Sequence, residues 1–249
     1  MQNELEIKEE KKGMKPSTKK TLISIIFCLV LMPVAVFAMW KIGGKSYYPG
    51  GLIMIILSMI PFFVSFEGRK PMPRELVVIA VLSAIAAISR VAFQFIPHFS
   101  PIMGFIIIAG MSFGPQAGFL TGAISAFVSN FIAGQGPWTP WQMFAYGMSG
   151  FVAGFLVKKG VIGVEKIIST CVFGAVCIMV LVGPLLDLSA YFMIMSLPTN
   201  NSLGATLLAG LPVNAVLAAS TVLTLALFSK PMGEKLERIK VKYGMMEEQ

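Results

Sequence analysis

Charge is scarce in this sequence: Asp, Glu, Lys and Arg make up 13% of 249 residues, about half the share of an ordinary soluble domain. A water-exposed globule of this length could not cover its core with so few charges, so the composition excludes a soluble protein and leaves an all-α bundle in a membrane. Histidine is nearly absent, with His98 alone, which removes histidine metal centres. Acidic residues are equally sparse. Between Glu75 and the C-terminal tail only Glu165 and Asp187 occur, so neither a Ser-His-Asp triad nor a paired-carboxylate catalyst is written here, and no enzyme is expected. The three cysteines, Cys28, Cys171 and Cys177, lie in apolar runs without a CxxC pair, which argues against both a disulfide framework and a zinc site. No GxxxxGK[ST] motif is present, so the chain cannot hydrolyse ATP. No cofactor and no metal are expected.

What the sequence has is apolar length. Hydrophobic residues reach 56%, with 24 glycines in addition. After a polar leader at residues 1–20, the uncharged run TLISIIFCLVLMPVAVFAMW (21–40) is long enough to span a bilayer. A second run at 50–66 makes the pair a two-helix hairpin, residues 21–71. From residue 72 the turn signals PHFSP, FGPQ, GQGPWTP, KKGVIGVEK and DLSAYFMIMSLPTNNS divide the chain into six further segments, near 75–97, 101–113, 115–134, 139–157, 165–186 and 203–229. The organisation expected is therefore a six-helix membrane domain over 72–232 behind the hairpin, about eight spans in all, and a tail over 233–249.

Lys and Arg on the connecting loops fix an orientation. Seventeen fall on the side of the two termini and two, Lys41 and Lys45, on the other, which places both termini in the cytoplasm of a multi-pass plasma-membrane protein. The net charge of +8 is accounted for by this asymmetry, and no aromatic-basic groove for nucleic acid is visible. PHFSP, GQGPWTP and the 187–202 loop then face outward.

Arg90 is the most informative single residue, because a guanidinium inside a membrane helix must find water, a partner or a ligand. Gln94 and His98 follow at i+4 and i+8, forming one polar stripe if the helix continues. Arg90 either lines a ligand cavity, or snorkels outward or pairs with Asp187 as a structural bridge. In GQGPWTPWQMFAYG (134–147), Trp138 and Trp141, with Gln135 and Gln142, offer a flat, polar-rimmed surface to a ring-bearing ligand, or a membrane-boundary belt. Asn130 and Asn214, the latter beside Pro212, are polar groups that need partners within a membrane helix. Thr121, Ser125 and Ser129, with Gly118, Gly122 and Ala126, spell close helix packing. Ala80, Ala84 and Ala87 form a second small-residue face, suited to a helix of this chain or of another subunit.

The six-helix block, the AxxxA stretch at Ala80–Ala84, the tail and the GPWTPWQ loop together resemble the substrate-binding S components of energy-coupling-factor (ECF) vitamin transporters. The loop looks most like the cobalamin type. The resemblance implies capture of a micronutrient from outside under the loops PHFSP, GQGPWTP and 187–202. It also implies docking through Ala80 and Ala84 on a transmembrane T component that is coupled to two ATP-hydrolysing subunits. The N-terminal hairpin departs from the usual six helices. A self-sufficient permease and a non-transport membrane factor are the rival readings, although few intramembrane charges are available for ion coupling.

Overall fold

A computed structural model describes residues 72–194 and 200–245, together with residues 55, 56, 59, 60, 62, 63, 66 and 67. Every regular element among them is helical. In chain order these are α1 (Pro73–Ala92), α2 (Ile102–Phe113), α3 (Pro115–Ala133), α4 (Thr139–Lys158), α5 (Ile167–Cys177), a π-helical turn at Ile178–Val182, α6 (Gly183–Ile194) and α7 (Asn200–Tyr243).

Punctuation in the sequence sets most of the ends. Pro73 opens α1 at its first position, where a missing N–H costs nothing. Gly114, with φ +89°, makes a one-residue corner between α2 and α3, and Pro115 opens the next helix. Gly134 (φ +107°) closes α3, and Gly160 (φ +70°) lies just beyond α4. Pro184 cannot donate a backbone hydrogen bond and its ring crowds the carbonyl four residues earlier, which accounts for the widened π turn directly before it.

Three of the six expected segments end elsewhere. The first stops at Ala92 instead of continuing to 97: Phe93 to His98 form turns, with Gln94 N–H bonded to the Val91 carbonyl and Ile96 N–H to Phe93. The cause is Pro97, which disfavours helix in the residue before it. The fifth continues past 186 to Ile194, because no breaker follows Pro184 until Pro198, so Asp187 lies on a helix and not in a 187–202 loop. The last begins at Asn200 and passes 229 to end at Tyr243, with Pro212 and Pro231 inside it. At its far end Leu236 and Met245 are buried with Ile79 and Phe113, and Arg74 Nη1 donates to the Tyr243 carbonyl at 3.0 Å.

Four stretches of the described residues are long and apolar enough to cross a membrane: Pro73–Ala92, Pro115–Ala133, Ile167–Met193 and Leu203–Tyr243. The 12-residue α2 reaches about 18 Å, short of a bilayer core. The expected first crossing at 21–40 lies outside the described residues. Of the second, Ile55, Met59, Phe62 and Phe66 are buried while Ile56, Ile60 and Phe63 are exposed, a helical repeat with one face inward. Phe62 stacks on Phe119 at 4.0 Å between ring centroids.

α2, α3 and α4 form the tightest part of the bundle. A methyl group added at Gly110 or Gly118 would be driven into the carbonyl of Gly150, at Gly150 into that of Gly118, and at Gly122 into that of Tyr146. The backbones approach this closely only because those Cβ atoms are missing. Thr121 and Ser125 turn their hydroxyls back onto the carbonyls of Ala117 and Thr121, so their polarity is satisfied within α3.

Candidate functional site

The α2–α3–α4 unit presents the C-terminal end of α3 to the first turn of α4, and α1 packs along α3. Arg90 reaches across from α1. Its Nη1 donates to Ser129 Oγ at 2.8 Å and to Asn130 Oδ1 at 2.9 Å. Asn130, fully buried, uses its amide nitrogen on Gln142 Oε1 at 2.8 Å and Thr139 Oγ1 at 3.1 Å. Thr139 in turn donates to Gln135 Oε1 at 2.9 Å and accepts from the Gly136 N–H. Arg90 also lies 6.0 Å from the centroid of the buried Tyr146 ring. Among the described residues no carboxylate stands within ion-pair distance of this guanidinium, so its charge is met by neutral oxygens and a ring face.

Four predicted site residues thus converge: Arg90, Asn130, Gln135 and Gln142. Others do not join them. Because α1 ends at Ala92, the helical stripe is broken, and Gln94 and His98 stand exposed on the following turn, His98 with φ +61°. The Arg90–Asp187 pair is also absent. Asp187 on α6 accepts instead from Asn214 Nδ2 on α7 at 2.8 Å, its carboxylate set against Gly210, where a Cβ would strike it. Asn214 in turn abuts Gly183. Asp187 and Asn214 therefore make a second polar contact, clamping α6 to α7.

The two tryptophans part company as well. Trp138 is 37% exposed and covers Gly136, while Trp141 is 1% exposed and packs 5.9 Å from the Phe192 ring. They do not form one flat surface, because a spacing of three residues across the start of α4 points one ring outward and the other into the bundle. Ser129, Thr139 and Tyr146 are the residues that sequence reasoning missed. In the sequence Ser129 reads as a packing residue, and Thr139 inside GPWTPWQ is the one local signal.

Of the small-residue face on α1, Ala80 and Ala84 are exposed, flanked by exposed Leu76, Val77, Val81, Ile85 and Ile88. Ala87 is buried against the chain's own bundle and does not belong to that face.

No solved structure matches the chain. Residues 70–232 match the family described as ECF-type riboflavin transporter, S component, a range that runs from just before α1 into α7 and contains the Arg90–Asn130 cluster and the exposed alanines. The match spans well over half of the sequence, and the chain belongs to this family of ECF transporter S components.

Proposed function

We propose that this chain is the substrate-capture subunit of an ATP-driven vitamin importer and that its ligand binds at the corner where α1, α3 and α4 meet. The observation that carries this reading is the convergence of Arg90, Asn130 and Gln142, held in place by Ser129 and Thr139. The guanidinium's Nε and Nη2 groups remain to bond ligand acceptors, and Gln142, now accepting from Asn130, and Gln135, now accepting from Thr139, can exchange those contacts for a polar ligand edge. Trp138, on the exposed side of the same corner, is suited to cover a ring. Gln94 and His98 border the entrance from the turn after α1, and the Asp187–Asn214 clamp steadies the α6–α7 wall.

The ligand we favour is a flavin, since the family description names riboflavin. The GPWTPWQ likeness to the cobalamin type finds no support in that match, and cobalamin becomes the comparison ligand. The Lys and Arg asymmetry supports a corner that faces outward and termini that lie in the cytoplasm. The exposed Ala80–Ala84 face of α1 is the docking surface for the T component, through which two ATP-hydrolysing subunits supply the energy this chain cannot generate. Titration of the purified chain with riboflavin and, separately, cobalamin tests the reading: saturable riboflavin binding without ATP supports it, and the absence of binding by either overturns it.

A further inference from the structure

The length of α7 exceeds what a crossing needs. Its 44 residues reach about 66 Å, roughly twice the hydrocarbon core of a bilayer, and its apolar part ends at Ser229, followed by Lys230 and Pro231. Two anchors place the remainder, residues 230–243. At one end Lys230 pairs with Glu165 of the α4–α5 loop at 3.7 Å, and a Cβ added to Gly233 would strike Val164 of the same loop. At the other end the Tyr243 carbonyl accepts from Arg74, in the first turn of α1. Ile79 of α1, Phe113 at the end of α2, Ile162 of the α4–α5 loop and Leu236 share one buried cluster, against which Met232 and Ile239 also pack. The start of α1 and the α4–α5 loop therefore lie at the same end of the bundle. Residues 230–243, about 20 Å of helix, form a strap along that rim, and Pro231 sits at its start, where a helix bends readily.

The outer side of the strap carries Lys235, Arg238 and Lys242, all exposed, and their i, i+3, i+7 spacing makes them one stripe. The carboxylates of the rim are spent elsewhere: Glu165 pairs with Lys230 and Glu237 with Lys240, whereas among the described residues none comes within ion-pair distance of the three stripe cations. Val241, 73% exposed, and Tyr243, 46% exposed, adjoin the stripe, with Lys242 Nζ 5.4 Å from the Tyr243 ring centroid. Unneutralised cations beside an exposed aliphatic and an aromatic side chain, at the level where α1 enters the apolar layer, compose a membrane-boundary surface. We propose that this strap binds the phosphate groups of anionic phospholipids, with Lys235, Arg238 and Lys242 on the headgroups and Val241 and Tyr243 in the boundary layer. Charge complementarity selects the occupant. A zwitterionic lipid offsets its phosphate with its own cation, while phosphatidylglycerol leaves the negative charge for the stripe. The proposal needs a chain that spans the bilayer and is independent of the ligand it captures.

The test uses the full chain in nanodiscs of phosphatidylcholine alone and of phosphatidylcholine with about 30% phosphatidylglycerol. Phosphatidylglycerol should raise the melting temperature of the wild type by several degrees, and added salt should diminish the gain. In Lys235→Gln/Arg238→Gln/Lys242→Gln the melting temperature in pure phosphatidylcholine should be unchanged and the gain should vanish. Lys230→Gln/Lys240→Gln, which removes cations already paired with carboxylates, should keep most of it. Native mass spectrometry of protein released from the mixed discs should find phosphatidylglycerol enriched several-fold on the wild type and not on the triple variant. A wild type indifferent to phosphatidylglycerol, or a triple variant that keeps the wild-type gain and enrichment, overturns the proposal. Inorganic phosphate that reproduces the gain in pure phosphatidylcholine at matched ionic strength overturns it in favour of a free anion. A triple variant that keeps its lipid preference but no longer copurifies with the ATP-hydrolysing subunits overturns it in favour of an acidic protein surface. Every readout is taken without a vitamin, so failure here leaves the flavin assignment untouched.

Discussion

Arg90 and Asn130 are joined across two helices by a 2.9 Å bond from Nη1 to Oδ1, and the amide nitrogen of the same Asn130 is held by Thr139 and Gln142. The bond ties the orientation of a membrane-embedded cation to a fully buried amide. Arg90→Lys should therefore not rescue, since a single ammonium cannot bond Ser129 and Asn130 while presenting a planar fork to a ligand. Arg90→Ala and Arg90→Lys are each expected to lower riboflavin affinity by about ten- to a hundredfold, or about 1.4–3 kcal/mol. A double-mutant cycle with Asn130→Ala, read by titration calorimetry, should show non-additive losses. Additive losses would separate the two residues into independent roles.

The glycine seam makes a sharper forecast for stability than for binding. Gly150→Ala places a methyl group against the carbonyl of Gly118, and Gly118→Ala does the reverse. Both should destabilise the bundle by about 1–3 kcal/mol or prevent its accumulation. Gly163→Ala and Gly204→Ala, where an added Cβ meets nothing within 4 Å, should be close to neutral. Thermal denaturation of the four variants in one detergent checks the contrast, and equal melting temperatures would contradict it.

Asp187 predicts differently from Arg90. Asn214 Nδ2 donates to its carboxylate, and an amide oxygen accepts that bond as well, so Asp187→Asn should keep the α6–α7 contact and lower stability by less than about 1 kcal/mol. Gly210→Ala drives a methyl group into the same carboxylate and should cost more. Unfolding midpoints decide between them. The reverse order would show that the charge of Asp187, and not its fit, matters to the fold.

The alanines of α1 separate docking from folding. Ala80→Leu and Ala84→Leu lie on the exposed face and should leave thermal stability and riboflavin affinity unchanged while abolishing copurification with the T component. Ala87→Leu, buried at 4% exposure, overfills the chain's own core and should lower stability. Pull-down and melting measured side by side give the answer. Loss of T-component capture by Ala87→Leu alone, with Ala80→Leu inert, would remove the docking role from the exposed face.

Much of the bundle was legible because prolines and glycines punctuate it: Gly114–Pro115, Gly134 and Thr139–Pro140 mark helix ends in the sequence as they do in the structure. The misreadings came where local signals and tertiary placement diverge. An i, i+4, i+8 pattern put Arg90, Gln94 and His98 on one stripe, but Pro97 ended the helix early. Asp187 reads as the first residue of a polar loop, but no breaker follows Pro184 until Pro198, and the helix continues through it after the π turn. Arg90 and Asp187 are two of the few charges between Glu75 and the tail, which invites a pairing. Each instead found an asparagine, Asn130 or Asn214, and which one depends on helix packing that spacing does not encode. Ala87 shares a spacing with Ala80 and Ala84 but faces inward, a difference of rotation that only the packed bundle resolves.

The most direct test of the central claim is mass spectrometry of the small molecule that copurifies with the full chain, together with its retention in Arg90→Ala. The account predicts a flavin at close to one per chain in the wild type, strongly depleted in Arg90→Ala without loss of folded protein. A chain that carries no vitamin and takes up none when supplied, or one whose bound flavin is indifferent to Arg90, would contradict it.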